Sequence, residues 1–147
     1  MQITVKELMS GDPVSIDFRS SAFEAYEKMR SHRIRHLPVL GSDGRVVGVL
    51  AADDLAAKLA LPPRPRRQLA EVEARAALGW RVQEVMTRAP ETLSRDATIS
   101  EAAERMADAH IGCLPIVDET GHLEGVLSET DLLQALATVA AERTPLS

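Results

Sequence analysis

One cysteine, Cys113, is all that 147 residues contain, so no disulfide can form within the chain and no cysteine framework holds it together. Aromatic residues are almost as scarce, with Trp80, Tyr26, Phe18 and Phe23 making up the whole set. The apolar share is nevertheless 45%, enough for a core, and that core has to be packed from small aliphatic side chains as in layered α/β folds. Positive charge is in deficit: 17 Lys and Arg stand against 22 Asp and Glu, a formal charge of −5. A surface of that sign does not displace the counterions of a phosphate backbone, which argues against nucleic acid as a general partner. No stretch approaches the ~20 apolar residues of a membrane-spanning helix, and Met1 to Lys6 lack the apolar segment of a secretory signal. These absences lead us to expect a cytoplasmic protein of a length suited to one domain.

What the sequence does contain is a repeat. Residues 5–60 return 77 positions later, within 82–139, with no gap needed. Val5, Glu7, Met9 and Pro13 come back as Val82, Glu84, Met86 and Pro90, and Glu24, Ala25, Glu27 and Met29 as Glu101, Ala102, Glu104 and Met106. Leu37-Pro38, Gly44, Gly48-Val49-Leu50 and Asp54-Leu55 come back as Leu114-Pro115, Gly121, Gly125-Val126-Leu127 and Asp131-Leu132. About a third of the aligned positions are identical, more than shared composition produces. Each copy is then one supersecondary unit with an apolar face to bury. Two copies imply halves related by a pseudo-twofold axis, with two equivalent clefts. The expected organisation is a first repeat at 5–60, a linker at 61–81 and a second repeat at 82–139, forming one module.

Each copy parses into the same elements. Val14-Ser15-Ile16 and Glu91-Thr92-Leu93 follow a proline and read as short strands. Ser21-x-x-Glu24 and Thr98-x-x-Glu101 then have the form of capping boxes, which satisfy the orphan amides that open a helix. Ala22, Ala25, Tyr26 and Met29, and their equivalents Ile99, Ala102, Ala103 and Met106, take the i, i+3, i+4, i+7 spacing of a buried face. Leu37 to Leu40 and Leu114 to Val117 read as strands, followed by turns at Ser42-Asp43-Gly44 and Glu119-Thr120-Gly121, where glycine can take positive φ. Val46 to Leu50 and Leu123 to Leu127 read as the return strands. Each carries an internal glycine, a sign that another backbone comes close. A final helix begins near Asp53 or Glu129, so the unit is β-α-β-β-α, twice. Between the copies, Leu61 to Arg67 carries three prolines and breaks the chain. Gln68 to Leu78 reads as a helix ended by Gly79. The Arg64–Arg67 cluster could hold an anion but reads first as a soluble linker.

Chemistry concentrates in Gly125-Val126-Leu127-Ser128-Glu129-Thr130-Asp131. Here a strand feeds a helix start, where amides and the positive end of the dipole can accept an anion. A carboxylate at Asp131 could accept both hydroxyls of a ribose while Ser128 faces phosphate. Equally, Ser128-x-x-Asp131 serves as a capping pair, and the segment alone leaves both readings open.

Taken together, the marks of each copy resemble a tandem pair of CBS domains. They are the Met-x-x-x-Pro lead-in (Met9 to Pro13, Met86 to Pro90), the helix opening with Glu-Ala, and Ile34-Arg35-His36-Leu37-Pro38 with Ile111-Gly112-Cys113-Leu114-Pro115. The last is the Gly-x-x-(Ser/Thr)-x-x-Asp ending. The resemblance covers 5–60 and 82–139. It implies an α/β (α+β) fold of two β-α-β-β-α repeats and an energy-sensing regulatory module. Such a module binds an adenosine-containing compound (of AMP, ADP, ATP or S-adenosylmethionine type) in clefts between the repeats and transmits the bound state to an effector protein. It also implies a homodimer, often a flat four-domain disc. Carried over, it implies that Asp131 holds ribose and that Ser128, with Thr130 beside it, lies near phosphate. Backbone at Gly112, Cys113, Leu114 and Pro115 would read the base, and Met9-Ser10 would be lent by the first repeat's lead-in. The first repeat departs from the pattern. Asp54 keeps the ribose position, but Ala51 stands where the hydroxyl belongs, and Arg35 beside His36 would supply a phosphate contact instead.

Other candidates are weaker. His32, His36, His110 and His122 lack zinc-ligand spacing, and no nucleophile-base set recurs. The expectation is therefore a stand-alone module without catalytic residues, metal or tightly bound cofactor. Ala56, Ala57, Leu133 and Ala137 on helix faces motivate the homodimer. The rival reading is a ligand-free scaffold for oligomerisation or docking, which the missing hydroxyl at Ala51 favours for one cleft; an enzyme comes third.

Overall fold

Ser21 and Thr98 each leave the extended region to start a helix, and their hydroxyls accept from the amides three residues on: Glu24 N to Ser21 Oγ at 3.0 Å and Glu101 N to Thr98 Oγ1 at 3.1 Å. The helices that follow are eleven residues each and close on Arg33 and His110, both in the left-handed region at φ 55°. The computed structural model describes residues 2–58 and 79–143. The expected helix over Gln68 to Leu78 and the Arg64–Arg67 cluster lie outside the described residues.

In chain order the elements are α1 (Val5–Leu8), β1 (Ile16–Asp17), α2 (Ala22–His32), β2 (His36–Leu40), β3 (Val46–Ala51) and α3 (Ala52–Lys58). After the linker come α4 (Val82–Val85), β4 (Thr87–Arg88), α5 (Ile99–Ala109), β5 (Cys113–Val117), β6 (Leu123–Ser128) and α6 (Glu129–Arg143). They gather into two compact units, Val14–Pro90 and Met1–Pro13 with Glu91–Ser147. The unit boundary is not the repeat boundary. Each lead-in belongs to the unit built on the other repeat.

In the unit Val14–Pro90 the sheet order is β1-β2-β3-β4. β1 runs parallel to β2 (Ile16 opposite Val39), β2 and β3 form the hairpin, and β4 adds antiparallel to β3 with Gly48 opposite Arg88. The core joins Ala22, Ala25 and Met29 of α2 to Leu37, Val39 and Leu50, and Val82 and Val85 of α4 close it. In the other unit β5 and β6 pair antiparallel, with Cys113 opposite Ser128. A parallel bridge of Leu93 to Ile116 and an antiparallel bridge of Ser10 to Val126 flank them. Its core joins Val5 of α1 to Ala102, Met106, Leu114, Ile116 and Leu127. The hairpin turns hold Gly44 and Gly121 at φ 83° and 89°, as their sequence position requires.

Several details differ from the sequence reading, the unexpected strand β4 at Thr87–Arg88 among them. The strand expected at Val14 to Ile16 is Ile16–Asp17, and that at Glu91 to Leu93 shrinks to the single bridge at Leu93. Each has one parallel neighbour only, and such pairing stabilises little per residue. The carboxylate half of the capping arrangement forms not at the long helices but at the one-turn helices α1 and α4. There Thr4 N donates to Glu7 Oε2 at 2.7 Å and Arg81 N to Glu84 Oε2 at 2.9 Å, and the Thr4 amide is the main reason Glu7 holds its carboxyl below the usual value. Those two short helices were not expected, although Thr4-x-x-Glu7 carries the capping signature. Finally, Ala103 is exposed while its helical neighbours Ala102 and Met106 are buried.

Candidate functional site

The two internal glycines explain how the lead-ins are seated. A Cβ on Gly125 would lie 2.6 Å from Met9 Sδ and 2.8 Å from the Ser10 carbonyl oxygen. One on Gly48 would lie 2.5 Å from Met86 Sδ and 2.9 Å from the Thr87 carbonyl oxygen. Backbone thus approaches β6 where side chains would otherwise stand. Ser10 N donates to Val126 O at 3.0 Å and Val126 N to Ser10 O at 3.3 Å. That bridge puts Met9-Ser10 beside the strand that ends at Ser128.

Ser128 and Asp131 are locked together where β6 becomes α6. Ser128 N donates to Asp131 Oδ2 at 2.9 Å, and Asp131 N donates to Ser128 Oγ at 3.2 Å. Glu129 N donates to Gly112 O at 2.9 Å, tying the start of the helix to the residue before β5. Three amides at this helix start therefore have partners within the chain, so the capping arrangement is physically present. Asp131 still has capacity to spare, since a carboxylate offers about four lone-pair sites.

Of the residues singled out from sequence, Met9, Ser10, Gly112, Cys113, Leu114, Pro115, Ser128, Thr130 and Asp131 all belong to this one unit. Leu114 and Pro115 are fully buried, leaving only their backbone to meet a ligand; the Pro115 carbonyl already accepts from Leu93 N at 3.2 Å. Ser10 and Thr130 are exposed, while Ser128 and Asp131 are half-buried. Cys113 is 4% exposed, and burial pushes its thiol up to about 12. It therefore remains a thiol at neutral pH and unreactive. Its labelling by a water-soluble disulfide reagent at pH 8 is expected to track global unfolding; rapid stoichiometric labelling of the native chain would contradict this.

Arg35, His36 and Asp54 belong to the other unit. Ala52 N donates to Arg35 O at 2.8 Å, the counterpart of the Glu129–Gly112 bond. The Arg35 guanidinium pairs with Asp53, an acceptor that the sequence reading passed over although Asp53 stands next to Asp54. Asp54 itself is exposed in the first turn of α3.

A groove of about 480 Å3 runs between α5 and α6, lined by Ala103, Met106, His110, Ile111, Leu132 and Leu133. Glu129 reaches its edge, but Ser128 and Asp131 do not line it. Among the described residues, no three His, Cys, Asp or Glu side chains converge as a metal site would require, and no helix is long and apolar enough to cross a membrane.

The family model of the CBS domain matches residues 5–61 and 82–138. The chain belongs to the CBS domain family. A CBS domain-containing protein of Dictyostelium discoideum is 29% identical over 147 residues, covering both chains completely. The homoserine O-acetyltransferase of Methanocorpusculum labreanum is 33% identical over 130 residues, but this chain spans only 23% of its length. Among solved CBS pairs, one in complex with 5′-methylthioadenosine and S-adenosyl-L-methionine has a TM-score of 0.77 at 24% identity, covering 95% of this chain and 99% of that one. CBSX2 in complex with AMP has a TM-score of 0.75 at 24% identity, covering 93% and 98%. The mixed α/β architecture of a CBS pair is thus established for this chain.

Proposed function

We propose that this CBS pair is a regulatory module of the cytoplasm that binds an adenosine-containing compound and passes the bound state to a partner protein. Its functional repeats are 5–60 and 82–139, joined by 61–81. The observation that carries the reading is the Ser128–Asp131 pair, fixed by two reciprocal hydrogen bonds at the end of β6, with the Ser10 backbone alongside. Asp131 accepts the ribose hydroxyls through its remaining lone pairs, Ser128 and Thr130 face the ligand's 5′ side, and backbone at Gly112 to Pro115 reads the base. Similar CBS pairs crystallised with AMP or with S-adenosylmethionine support an adenosyl ligand. In the first repeat, Asp54 and Arg35 with His36 form the lesser site, lacking the hydroxyl at Ala51. The module catalyses nothing and works by favouring one of two states, which requires a ligand with different affinity for each.

The test is a thermal-shift screen of the full chain against AMP, ADP, ATP, adenosine and S-adenosylmethionine. A ligand at a hundred times its Kd stabilises by about 2.7 kcal/mol, or roughly 5–10 °C in a chain of this size. A flat response to all five leaves the ligand-free scaffold as the better reading.

The same proposal includes a homodimer. Leu133 and Leu136 of α6 are 62% and 61% exposed beside the α5–α6 groove, an apolar face that a second copy would cover. Light scattering is expected to report a dimer at micromolar concentration, converted to monomer by Leu136→Glu. A wild-type monomer at high micromolar concentration removes the dimer and leaves the fold intact.

A further inference from the structure

The turn end of the β2–β3 hairpin carries a second groove, of about 460 Å3, and every residue lining it belongs to the unit Val14–Pro90. Its floor is apolar: Phe18 after β1, Val47 of β3 and Met86 after α4, all half-buried against the core of that unit. Ser42 of the turn, Gln83 of α4 and Arg88 of β4 bring a hydroxyl, an amide and a guanidinium to it. Strand register separates this groove from the adenosyl reading. Val46 pairs with Leu40 at the turn end, whereas Ala51 pairs with His36 at the other end, next to Arg35.

Charge singles out Arg88. Asp43 also lines the groove, but Arg45 binds it, its amide donating to Oδ1 at 3.1 Å and its Nε lying 3.5 Å from Oδ2. The Arg19 guanidinium, 5.4 Å from the Phe18 ring centre, is bound to Asp17 at 3.2 Å. Arg88 Nη2 donates to the Gln83 carbonyl at 3.3 Å, which steadies the side chain and leaves most of its N–H donors over. Among the described residues no carboxylate pairs with Arg88. The equivalent positions of the second repeat are made differently. Arg95 and Glu124 stand in place of Phe18 and Val47 and form an ion pair at 3.6 Å, and Gly11 stands in place of Arg88. An apolar floor beside an uncompensated guanidinium is therefore particular to the first repeat.

We propose that this groove binds a small organic monocarboxylate with an aromatic or branched apolar body. The body lies on Phe18, Val47 and Met86, and the carboxylate takes the two-pronged pairing that the Arg88 guanidinium offers. The volume, and an apolar lining with few polar groups, are those of a small-molecule site. A phosphate monoester would bring a second negative charge to a single cation, with Asp43 alongside. Because the groove joins the hairpin to Gln83, Met86 and Arg88 of the lead-in, an occupant also pins that lead-in to the sheet.

The test is an NMR titration of the isotope-labelled full chain with phenylacetate and, as its uncharged counterpart, phenylacetamide. Phenylacetate should shift the amide signals of Ser42, Gly44, Gln83 and Arg88. It should bind about three- to fivefold more tightly than phenylacetamide, the advantage that one exposed ion pair confers. Arg88→Gln, at an exposed position, should erase that advantage and leave the weaker binding of phenylacetamide unchanged. Val47→Glu, which charges the floor as the second repeat does, should abolish the binding of both. Absence of shifts at these amides, equal affinity for the two probes, a preference that survives Arg88→Gln, or binding that survives Val47→Glu overturns the proposal. None of these outcomes touches adenosyl binding, which the thermal-shift screen reads separately.

Discussion

Gly125→Val is expected to cost about 2–3 kcal/mol, the upper part of the range for overpacking a tight site, and to lower the melting temperature by roughly 5–10 °C. A Cβ there would stand 2.8 Å from the Ser10 carbonyl oxygen and 2.6 Å from Met9 Sδ. The methionine can rotate away, but the carbonyl is held by its bond from Val126 N. The lead-in therefore has to leave the strand edge, withdrawing Val5 and its short helix from the core they close. Gly48→Val should behave alike through Thr87 and Met86. Gly11→Ala, with nothing within 4 Å of the added carbon, is the control and should change stability by less than about 0.5 kcal/mol. Calorimetric melts of the three variants check this; a Gly125→Val melt coincident with wild type would show that the lead-in is not bound where the bridge puts it.

Asp131→Asn is expected to lose ten- to a hundredfold in affinity for the adenosyl ligand with little change in the melting temperature of the free protein. The asparagine carbonyl can still accept from Ser128 N, and its backbone amide still donates to Ser128 Oγ, so the cap survives. What is lost is the charge. A first-turn carboxylate contributes about 0.3–1 kcal/mol through the helix dipole, whereas losing the charge assistance in the bonds to the ribose hydroxyls costs about 1.5–3 kcal/mol of binding in all. Binding and melting have to be measured on the same preparation. Unchanged affinity, together with a lower melting temperature, would assign Asp131 to capping alone.

Much of this was legible in the chain because it is local. The capping hydroxyls at Ser21 and Thr98, the positive-φ turns at Gly44 and Gly121 and the apolar spacing of α2 each depend on residues a few positions apart. The same spacing misplaced Ala103, because which edge of a helical face is covered depends on what packs there. The one-turn helices α1 and α4 escaped notice because four residues cannot show a period, although their glutamates repeat with the rest of the pattern.

The candidate site divides the same way. Ser128-x-x-Asp131 declared itself as a pair able to cap or to bind, and the structure shows the cap formed. The partner of the Glu129 amide lies at Gly112 and the acceptor for Arg35 at Asp53, 18 residues away. No spacing rule reaches those contacts.

From residues alone come the repeat, the order of its longer elements, the family and the close approach of some backbone to Gly48 and Gly125. The family resemblance lends Met9-Ser10 to the second repeat, but only the tertiary structure decided the contact itself: Met9-Ser10 against Gly125 and, in the other direction, Met86-Thr87 against Gly48, each lead-in joining the unit of the other repeat. A missing Cβ records that space is needed and carries no label for its occupant. The two lead-ins share Val, Glu, Met and Pro at matching positions, so their residue pattern by itself, without the resemblance, fits either place. What separates the alternatives is the closing of long loops and the packing of whole cores, quantities that no local stretch of sequence contains.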